Sequence, residues 1–258
     1  MNCSFCHGHS RAMRKMSADE FSLVLDRLEG QTSYIYYHLM GEPLTHPLLP
    51  DFIRTARARG FKSVVTTNGT LLKKRGQELI DAGVYKVSIS VHSFEKGSPD
   101  DLMLYMQGVI ECAKEASARG IIVVLRLWNR GYDGGKNVDI YDILRSSIDG
   151  EWAQNTKGVR IHDKLHLEWG DRFEWPDLSA PENSGEIFCY GLCDHFGILC
   201  DGTVVPCCLD SNGTLALGNV FADILPDIIN SPRAQSILKD RATEELCRKC
   251  GYAQRFKK

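Results

Sequence analysis

The sequence lacks both an apolar run long enough to span a membrane and an excess of either charge. No apolar run reaches the roughly 18 residues that a transmembrane helix needs, and the polar, basic N-terminal residues contain no signal-peptide stretch. The net charge is −2, with 31 Lys and Arg residues against 33 Asp and Glu residues. We therefore expect a soluble, cytoplasmic protein that has neither a membrane nor a nucleic acid as its partner.

Cysteine, in contrast, is abundant. The ten cysteines are Cys3, Cys6, Cys112, Cys189, Cys193, Cys200, Cys207, Cys208, Cys247 and Cys250. Cytosolic reductants keep thiols reduced, so metal ligation explains this number better than disulfide bonds do. Because the cysteines gather at the two ends of the chain, we expect two metal centres. Cys112 is the exception, since it lies on an apolar helix face and is expected in the core.

Helical and strand-like periodicities alternate from Ser17 onward, which is the pattern of βα units around a parallel sheet. The pattern predicts helices over 18–28, 49–59, 73–82, 100–118 and 137–147, and strands over 34–39, 63–67, 86–91, 121–128 and 165–169. Ser17 and Glu20 form a capping box for the first helix. Parallel strands end at one rim of the sheet, where α/β proteins bind ligands. Polar residues that follow the strands are therefore the candidate site.

Two groups of cysteines have metal-ligand spacing. Cys3 and Cys6 form a C-x2-C pair, which fits an iron–sulfur centre, a redox dithiol or, with His7 and His9, a zinc site. The C-terminal cysteines bracket a β-like segment, 198–206, with an Asp-Gly turn signal. A zinc ribbon is one interpretation of this second group. Seven cysteines exceed the four that one tetrahedral zinc uses, and soft thiolates also suit an iron–sulfur cluster.

Taken in order, the motifs at the strand ends resemble those of the radical S-adenosylmethionine (SAM) superfamily. The family opens with C-x3-C-x2-C, usually with an aromatic residue before the last cysteine, and Cys3, Phe5 and Cys6 match its second half. A Gly-Gly-Glu-Pro turn that meets the SAM amino group is matched by Gly41, Glu42 and Pro43. The order and spacing of the motifs, rather than any one motif, carry the resemblance.

Further strand-end residues correspond to SAM contacts in the same family. The resemblance implies roles in SAM binding for Thr67, Asn68, Ser90, His92 and Arg126. Two further strands carry residues that face either the substrate or the packed interior. These are His38, on the strand before the Gly41 turn, and His166, Glu168 and Trp169, on the last strand.

The C-terminal segment resembles an auxiliary-cluster domain of the SPASM or shorter Twitch kind. The resemblance implies one auxiliary [4Fe–4S] cluster with Cys189, Cys207, Cys247 and Cys250 as ligands, and the alternates are Cys193, Cys200 and Cys208. The implied α/β architecture is a partial (βα)6 TIM-like barrel over residues 1–175, a linker over 176–186 and a cysteine-rich domain over 187–258.

The sequence departs from the family pattern at its start. The first family cysteine would lie before Met1, together with the first barrel strand. Either the start is an internal methionine, or the chain is truncated, or this copy is inactive. We favour a wrong or truncated start, because the later motifs are retained.

The resemblance implies an oxygen-sensitive enzyme that uses a [4Fe–4S] cluster and S-adenosyl-L-methionine. Reductive cleavage of SAM would give a 5′-deoxyadenosyl radical that abstracts a hydrogen atom from the substrate, with flavodoxin or ferredoxin as electron donor. A peptide or protein substrate is the first hypothesis. The alternatives are a dehydrogenase or rearrangement enzyme acting on a small molecule, and a non-catalytic metal-binding remnant.

Overall fold

The computed structural model describes residues 5–184, 188–240 and 244–256, which form two compact units. The first unit contains Phe5 and Cys6, residues 32–38 and residues 42–172. The second contains residues 7–31, residues 39–41 and the described residues from 173 onward. None of the described helices is long and apolar enough to cross a membrane.

The secondary structure follows the chain in an α/β alternation. The helices are α1 (Ala18–Leu28), α2 (Leu49–Ala58), α3 (Leu72–Ala82), α4 (Pro99–Ala118), α5 (Lys136–Ser147), α6 (Leu225–Ile229), α7 (Pro232–Asp240) and α8 (Glu245–Arg248). The strands are β1 (Tyr34–Tyr37), β2 (Lys62–Thr67), β3 (Lys86–Ser90), β4 (Ile122–Arg130), β5 (Ala153–Asn155), β6 (Gly158–His162), β7 (Leu165–Asp171), β8 (Gly197–Ile198), β9 (Thr203–Val205) and β10 (Gly218–Asn219). Short 3-10 helices span Pro43–Thr45, Val91–Ser93 and Gly251–Phe256.

The first unit is built on a seven-stranded sheet with the order β1-β2-β3-β4-β7-β6-β5. β1, β2, β3, β4 and β7 are parallel neighbours in that order. Helices α2, α3 and α4 each connect two of these strands, as parallel pairing requires. The predicted mixed α/β architecture around a parallel sheet is thereby confirmed.

Successive side chains of each strand point to opposite faces, and the two faces of this sheet differ in chemistry. Val87 and Ile89 of β3 belong to the buried apolar core together with residues of the helices. Ser88 and Ser90 alternate with them and therefore lie on the other face. The register aligns Ser90 with Arg126 of β4, and Arg126 with a carboxylate on β7, so this second face carries polar groups up to its rim.

The antiparallel hairpin of β5 and β6 was not predicted from the sequence. Its strands have only three and five residues, and Gln154 and Asn155 are exposed, so no apolar alternation marks the first of them. Asn155 closes the turn, since its Oδ1 accepts hydrogen bonds of 2.9 Å from the backbone N–H groups of Lys157 and Gly158. The hairpin extends the sheet beyond β7.

The second unit contains α1, a three-stranded antiparallel sheet and three short helices. The predicted turn between β8 and β9 is present, with Gly202 at a φ of 85°, a conformation that favours glycine. Its apolar core is small and includes the buried side chains of Leu199, Val204, Val205, Leu215, Val220, Leu225 and Ile228.

The segment that follows Cys6 in the chain is held by loops of this second unit. Ser10 N donates a 2.8 Å hydrogen bond to Asn212 Oδ1, and Ser211 Oγ donates one of 3.1 Å to the Gly8 carbonyl. Arg11 forms a 2.5 Å ion pair with Asp201. These contacts fix the entry to α1.

Helix α1 begins with the predicted capping box. Glu20 N donates to Ser17 Oγ over 3.2 Å, and Ser17 N donates to Glu20 Oε2 over 2.8 Å. Phe21, Val24, Leu25 and Leu28 form the buried stripe of the helix.

We expect Ser17→Ala to lower the free energy of unfolding by about 1 kcal/mol, because it leaves a helix N–H without its side-chain acceptor. Urea denaturation followed by circular dichroism measures this change. Ser17→Asp is the matched control, since aspartate also caps helices well. A Ser17→Asp variant as unstable as Ser17→Ala would contradict the capping role.

Candidate functional site

The carboxylate of Glu42 joins the loops that follow two neighbouring parallel strands. Glu42 lies after β1, at the start of the 3-10 helix Pro43–Thr45, where its Oε1 accepts a 3.0 Å hydrogen bond from Leu44 N. Oε1 also accepts a 2.8 Å bond from Thr67 Oγ1, at the end of β2. Oε2 accepts a 2.8 Å bond from Asn68 N. Three protein donors therefore hold one half-buried carboxylate at the rim of the sheet.

The turn after β2 is fixed from both sides. Thr67 Oγ1 also accepts a hydrogen bond of 3.0 Å from Gly69 N. Tyr105 of α4 donates its hydroxyl proton to the Asn68 carbonyl oxygen over 2.8 Å. Gly69 has a φ of 82°, and a Cβ there would lie only 2.8 Å from the Tyr105 hydroxyl. This position therefore requires glycine for its conformation and for the close approach of Tyr105.

The amide side chain of Asn68 is engaged locally. Its Oδ1 accepts hydrogen bonds of 3.0 Å and 2.6 Å from the N–H and hydroxyl groups of Thr70. This Asx turn orients the amide group. Gly41, on the other side of Glu42, has a φ of 105°.

Phe5 and His92 stand together in the first unit. Their ring centroids are 5.2 Å apart. His92 Nδ1 lies 2.9 Å from the Arg126 carbonyl oxygen and 3.3 Å from Trp128 N, and the shorter contact places the ring proton on Nδ1. Burial lowers the pKa of His92, and the nearby Arg126 charge adds to this effect, so the imidazole is neutral at physiological pH.

A cavity of about 270 Å³ opens beside these two rings. Its aromatic, amide and charged lining comes from the N-terminal segment, the end of β4, helix α5 and the loops after β3, β4 and β7: Phe5, His92, Phe94, Glu95, Lys96, Asn129, Tyr132, Asp133, Gly134, Lys136, Asn137, Ile140 and Arg172. Asn137 Nδ2 donates a 3.0 Å hydrogen bond to Asn129 Oδ1. Among the described residues, the buried Asn137 Oδ1 has no hydrogen-bond partner. The cavity thus combines aromatic faces with an acceptor that a ligand N–H group would satisfy.

Three predicted residues, Ser90, Arg126 and Glu168, lie in one row across neighbouring strands. Arg126 stacks its guanidinium 4.5 Å from the centre of the Trp128 ring and is aligned with both Ser90 and Glu168 in the strand register. His166 lies one row below Glu168 on the same face, and burial lowers the pKa of its imidazole.

Trp169 and His38 lie away from this row. Trp169 packs on the apolar core, with its ring centroid 6.2 Å from that of Tyr141. His38 follows β1 and makes an edge contact of 5.7 Å with Tyr36.

Five thiols of the second unit are electrostatic neighbours. The pKa of Cys247 is raised to about 12, mainly by burial and to a smaller extent by the neighbouring thiols of Cys189 and Cys250. Burial also raises the pKa values of Cys207, Cys208 and Cys250, and neighbouring thiols add to this effect: Cys208 and Cys189 for Cys207, and Cys189 for Cys208 and Cys250. Grouped, buried thiols disfavour the thiolate form, whereas a bound metal centre deprotonates its thiol ligands. This donor set therefore fits a positively charged iron core.

The described residues contain no group of three or more His, Cys, Asp or Glu side chains arranged to hold a metal ion. An iron–sulfur cluster is wider than one ion and takes one thiolate at each corner, so its ligands need to be neighbours rather than to converge on one point. Cys208 is an electrostatic neighbour of Cys189 and Cys250, as the predicted ligand Cys247 is. Cys193 is exposed, and Cys200 lies 4.0 Å from Arg11.

The N-terminal pair is described only in part. Cys3 lies outside the described residues, and Cys6 is exposed. Cys112 belongs to the core, with 8% of its surface exposed, as predicted. Burial raises its thiol pKa to about 11.

Sequence reasoning did not identify Tyr105, Arg75 or the cavity residues after β4. Tyr105 on α4 and Arg75 on α3 contact the strand-end loops. The apolar periodicity of a helix does not indicate which of its polar side chains make such contacts. Asn129 and Asn137 could have been found, because they follow a predicted strand at the functional rim.

Two family models match the chain. The model of the radical SAM superfamily matches residues 1–147. The SPASM model, an iron–sulfur cluster-binding domain, matches residues 189–251. Together they imply a SAM-binding [4Fe–4S] cluster and an auxiliary iron–sulfur centre, in agreement with the thiols described above.

Similar proteins include a probable GTP 3′,8-cyclase of Sulfolobus acidocaldarius, which is 38% identical over 97 residues. The match covers 36% of this chain, and the chain spans only 31% of that relative's length.

Among solved structures, anSMEcpe with bound AdoMet and Kp18Cys peptide has a TM-score of 0.61 at 13% identity, covering 97% of this chain and 85% of that one. BtrN in complex with AdoMet and 2-DOIA has a TM-score of 0.57 at 19% identity, covering 93% and 82%. These two likenesses concern the fold.

The lowered pKa of His92 predicts a pH-dependent contribution to stability. As the pH falls, His92 takes up its proton in the unfolded chain before it does so in the folded protein. The stability that the neutral His92 contributes is therefore present above the unfolded pKa of about 6.5 and is lost below it. We expect His92→Gln to lose less unfolding free energy than the wild type between about pH 7.5 and pH 5.5.

Nuclear magnetic resonance titration of the imidazole and denaturation at both pH values check this expectation. His166 and His195, whose pKa values are lowered in the same direction, remain in both proteins and do not affect the difference. Identical pH dependence in the two proteins would contradict it.

Proposed function

Because the chain belongs to the radical SAM superfamily, we propose that it binds SAM at the Glu42 rim and uses it to abstract hydrogen from a substrate. The observation that carries the proposal is the Glu42 carboxylate, held by Thr67 and Asn68 at the end of the neighbouring strand. When bound, the catalytic cluster supplies the electron that cleaves SAM reductively to methionine and a 5′-deoxyadenosyl radical.

Glu42 is the proposed acceptor for the SAM ammonium group. A carboxylate offers about four hydrogen-bond acceptor positions, and Leu44, Thr67 and Asn68 occupy three of them. One position on Oε2 therefore remains for a charge-assisted bond. The three protein donors fix the carboxylate before SAM arrives, which lowers the entropy lost on binding.

We place the adenosine part of SAM in the cavity beside Phe5 and His92. Aromatic faces there suit a planar base, and the buried Asn137 Oδ1 accepts from an amino group. A neutral His92 favours this arrangement, because a positive charge would repel the sulfonium centre of SAM. Ser90 and Arg126, aligned at the same rim, are proposed contacts for the ribose and carboxylate.

The proposed ligands of the auxiliary cluster are Cys189, Cys207, Cys247 and Cys250, with Cys208, Cys193 and Cys200 as alternates. Cys3 and Cys6 are proposed for the catalytic cluster. A flavodoxin or ferredoxin is the proposed electron donor.

For the substrate we propose a peptide or protein side chain. One structure of similar fold holds AdoMet together with a peptide, which supports this choice. The alternative is a small molecule, since another structure of similar fold holds AdoMet with 2-DOIA.

The test of the proposed function is 5′-deoxyadenosine formation by anaerobically reconstituted protein with SAM and dithionite. We expect Glu42→Gln to weaken SAM binding by about tenfold or more, because a hydrogen bond between two charged groups becomes one to a neutral amide. Glu115→Gln, which changes an exposed ion pair on α4, is the matched control and should bind like the wild type. The proposal would be refuted if 5′-deoxyadenosine were formed neither by this chain nor by a version extended upstream to supply the first cysteine of the motif.

Removal of an auxiliary ligand should lower the iron content by about four atoms per chain, because each [4Fe–4S] cluster holds four. We expect this loss for Cys189→Ala and Cys247→Ala, measured by iron and sulfide analysis. Cys112→Ala, which changes a core thiol, should retain all the iron. Full iron content in both ligand variants would exclude these cysteines.

A further inference from the structure

Helix α3 carries a side chain that reaches back to the Glu42 loop. Arg75 lies in the first turns of α3, and 16% of its side chain is exposed. Its Nη1 donates hydrogen bonds of 2.5 Å to the Leu44 carbonyl and 2.8 Å to the His46 carbonyl. Its Nη2 donates a 3.3 Å bond to the Pro47 carbonyl. One guanidinium therefore binds three carbonyl groups of the loop that begins at Glu42.

The other donors of Arg75 are also engaged. Its Nε and Nη2 bind the half-exposed carboxylate of Glu78 at 2.9 Å and 2.7 Å on the same helix. All five N–H groups of the guanidinium thus have acceptors nearby. Glu78 orients the guanidinium from its outer side, while the three carbonyl groups hold its inner side.

Arg75 and Glu42 fasten the same two loops from opposite directions. Glu42 projects from the loop after β1 to Thr67 and Asn68 after β2. Arg75 projects from α3, which follows β2, to the loop after β1. Leu44 takes part in both contacts, since its N–H binds Glu42 and its carbonyl oxygen binds Arg75. A shift of the loop that breaks the Arg75 bonds would therefore also move the Glu42 carboxylate.

We propose that Arg75 is a positioning residue for SAM binding, because it fixes the loop that sets the orientation of Glu42. The proposal rests on the proposed function, in which Glu42 receives the SAM ammonium group. Arg75 is not a proposed contact of SAM or of the cluster, because its guanidinium binds Glu78 and the loop carbonyl groups. Its effect passes through the Leu44–Pro47 backbone.

The test compares SAM affinity in the wild type and three variants of the anaerobically reconstituted holoenzyme, measured by equilibrium binding below the unfolding transition of each. We expect Arg75→Gln to weaken SAM binding by about tenfold, because the amide cannot bridge three carbonyl groups. Arg75→Lys should recover only part of the affinity, since an ammonium group lacks the planar fork. Arg119→Gln, the matched control, makes the same change at an exposed ion pair with Asp81 and should bind SAM like the wild type.

A double-mutant cycle distinguishes positioning from general stabilisation. If Arg75 acts through Glu42, then Glu42→Gln combined with Arg75→Gln should bind SAM no more weakly than Glu42→Gln alone. Independent, multiplying effects in the cycle would overturn the proposal, and so would wild-type affinity in Arg75→Gln.

Failure of the proposed function gives a different result. Absence of measurable SAM binding, both by the wild-type holoenzyme and by a version extended upstream to supply the first cysteine of the motif, would refute the SAM site itself. Normal binding by the wild type with unchanged binding by Arg75→Gln would refute only the positioning role.

Discussion

The bond between the Glu42 carboxylate and the end of β2 is the constraint on which the rim of the first unit depends. Parallel strands bring their carboxyl ends to one edge, but they leave the loops that follow free to diverge. Glu42 prevents this by accepting from Thr67 and Asn68 across the strand boundary. Tyr105 then fixes the Asn68 carbonyl from a helix. The rim is therefore a set of cross-linked loops rather than a row of independent ones.

Such cross-linking has a functional consequence for the proposed SAM site. A carboxylate that is already oriented loses little entropy when it binds an ammonium group, so more of the interaction energy appears as affinity. Three protein donors, from Leu44, Thr67 and Asn68, thus orient Glu42. The neutral His92 beside Phe5 complements them, because it adds an aromatic surface without a positive charge.

The parts of this structure that the sequence predicted are those with a local cause. The bounds of α1 follow from the Ser17 and Glu20 box and an apolar stripe, and all of these lie within a few turns of one helix. Arg75 could not be assigned a role in this way, because its acceptors lie about thirty residues earlier and their approach depends on the crossing of α3 over the sheet. The β5–β6 hairpin was missed for a related reason. Its strands are too short and polar to show alternation, and only pairing with β7 defines them.

In the second unit, a small apolar core and a bound metal centre would both contribute to the stability of the fold. Its apolar core is modest, and it encloses thiols whose pKa values are raised by burial and by one another. Without a metal these thiols stay protonated and contribute little beyond packing. A cluster that binds them as thiolates adds its binding free energy to folding, because the unfolded chain offers no preformed site. Asp201 and Asn212, which hold the segment after Cys6, follow Cys200 and Cys208 closely in the chain. A cluster bound in this domain should therefore also stabilise the loops that hold that segment.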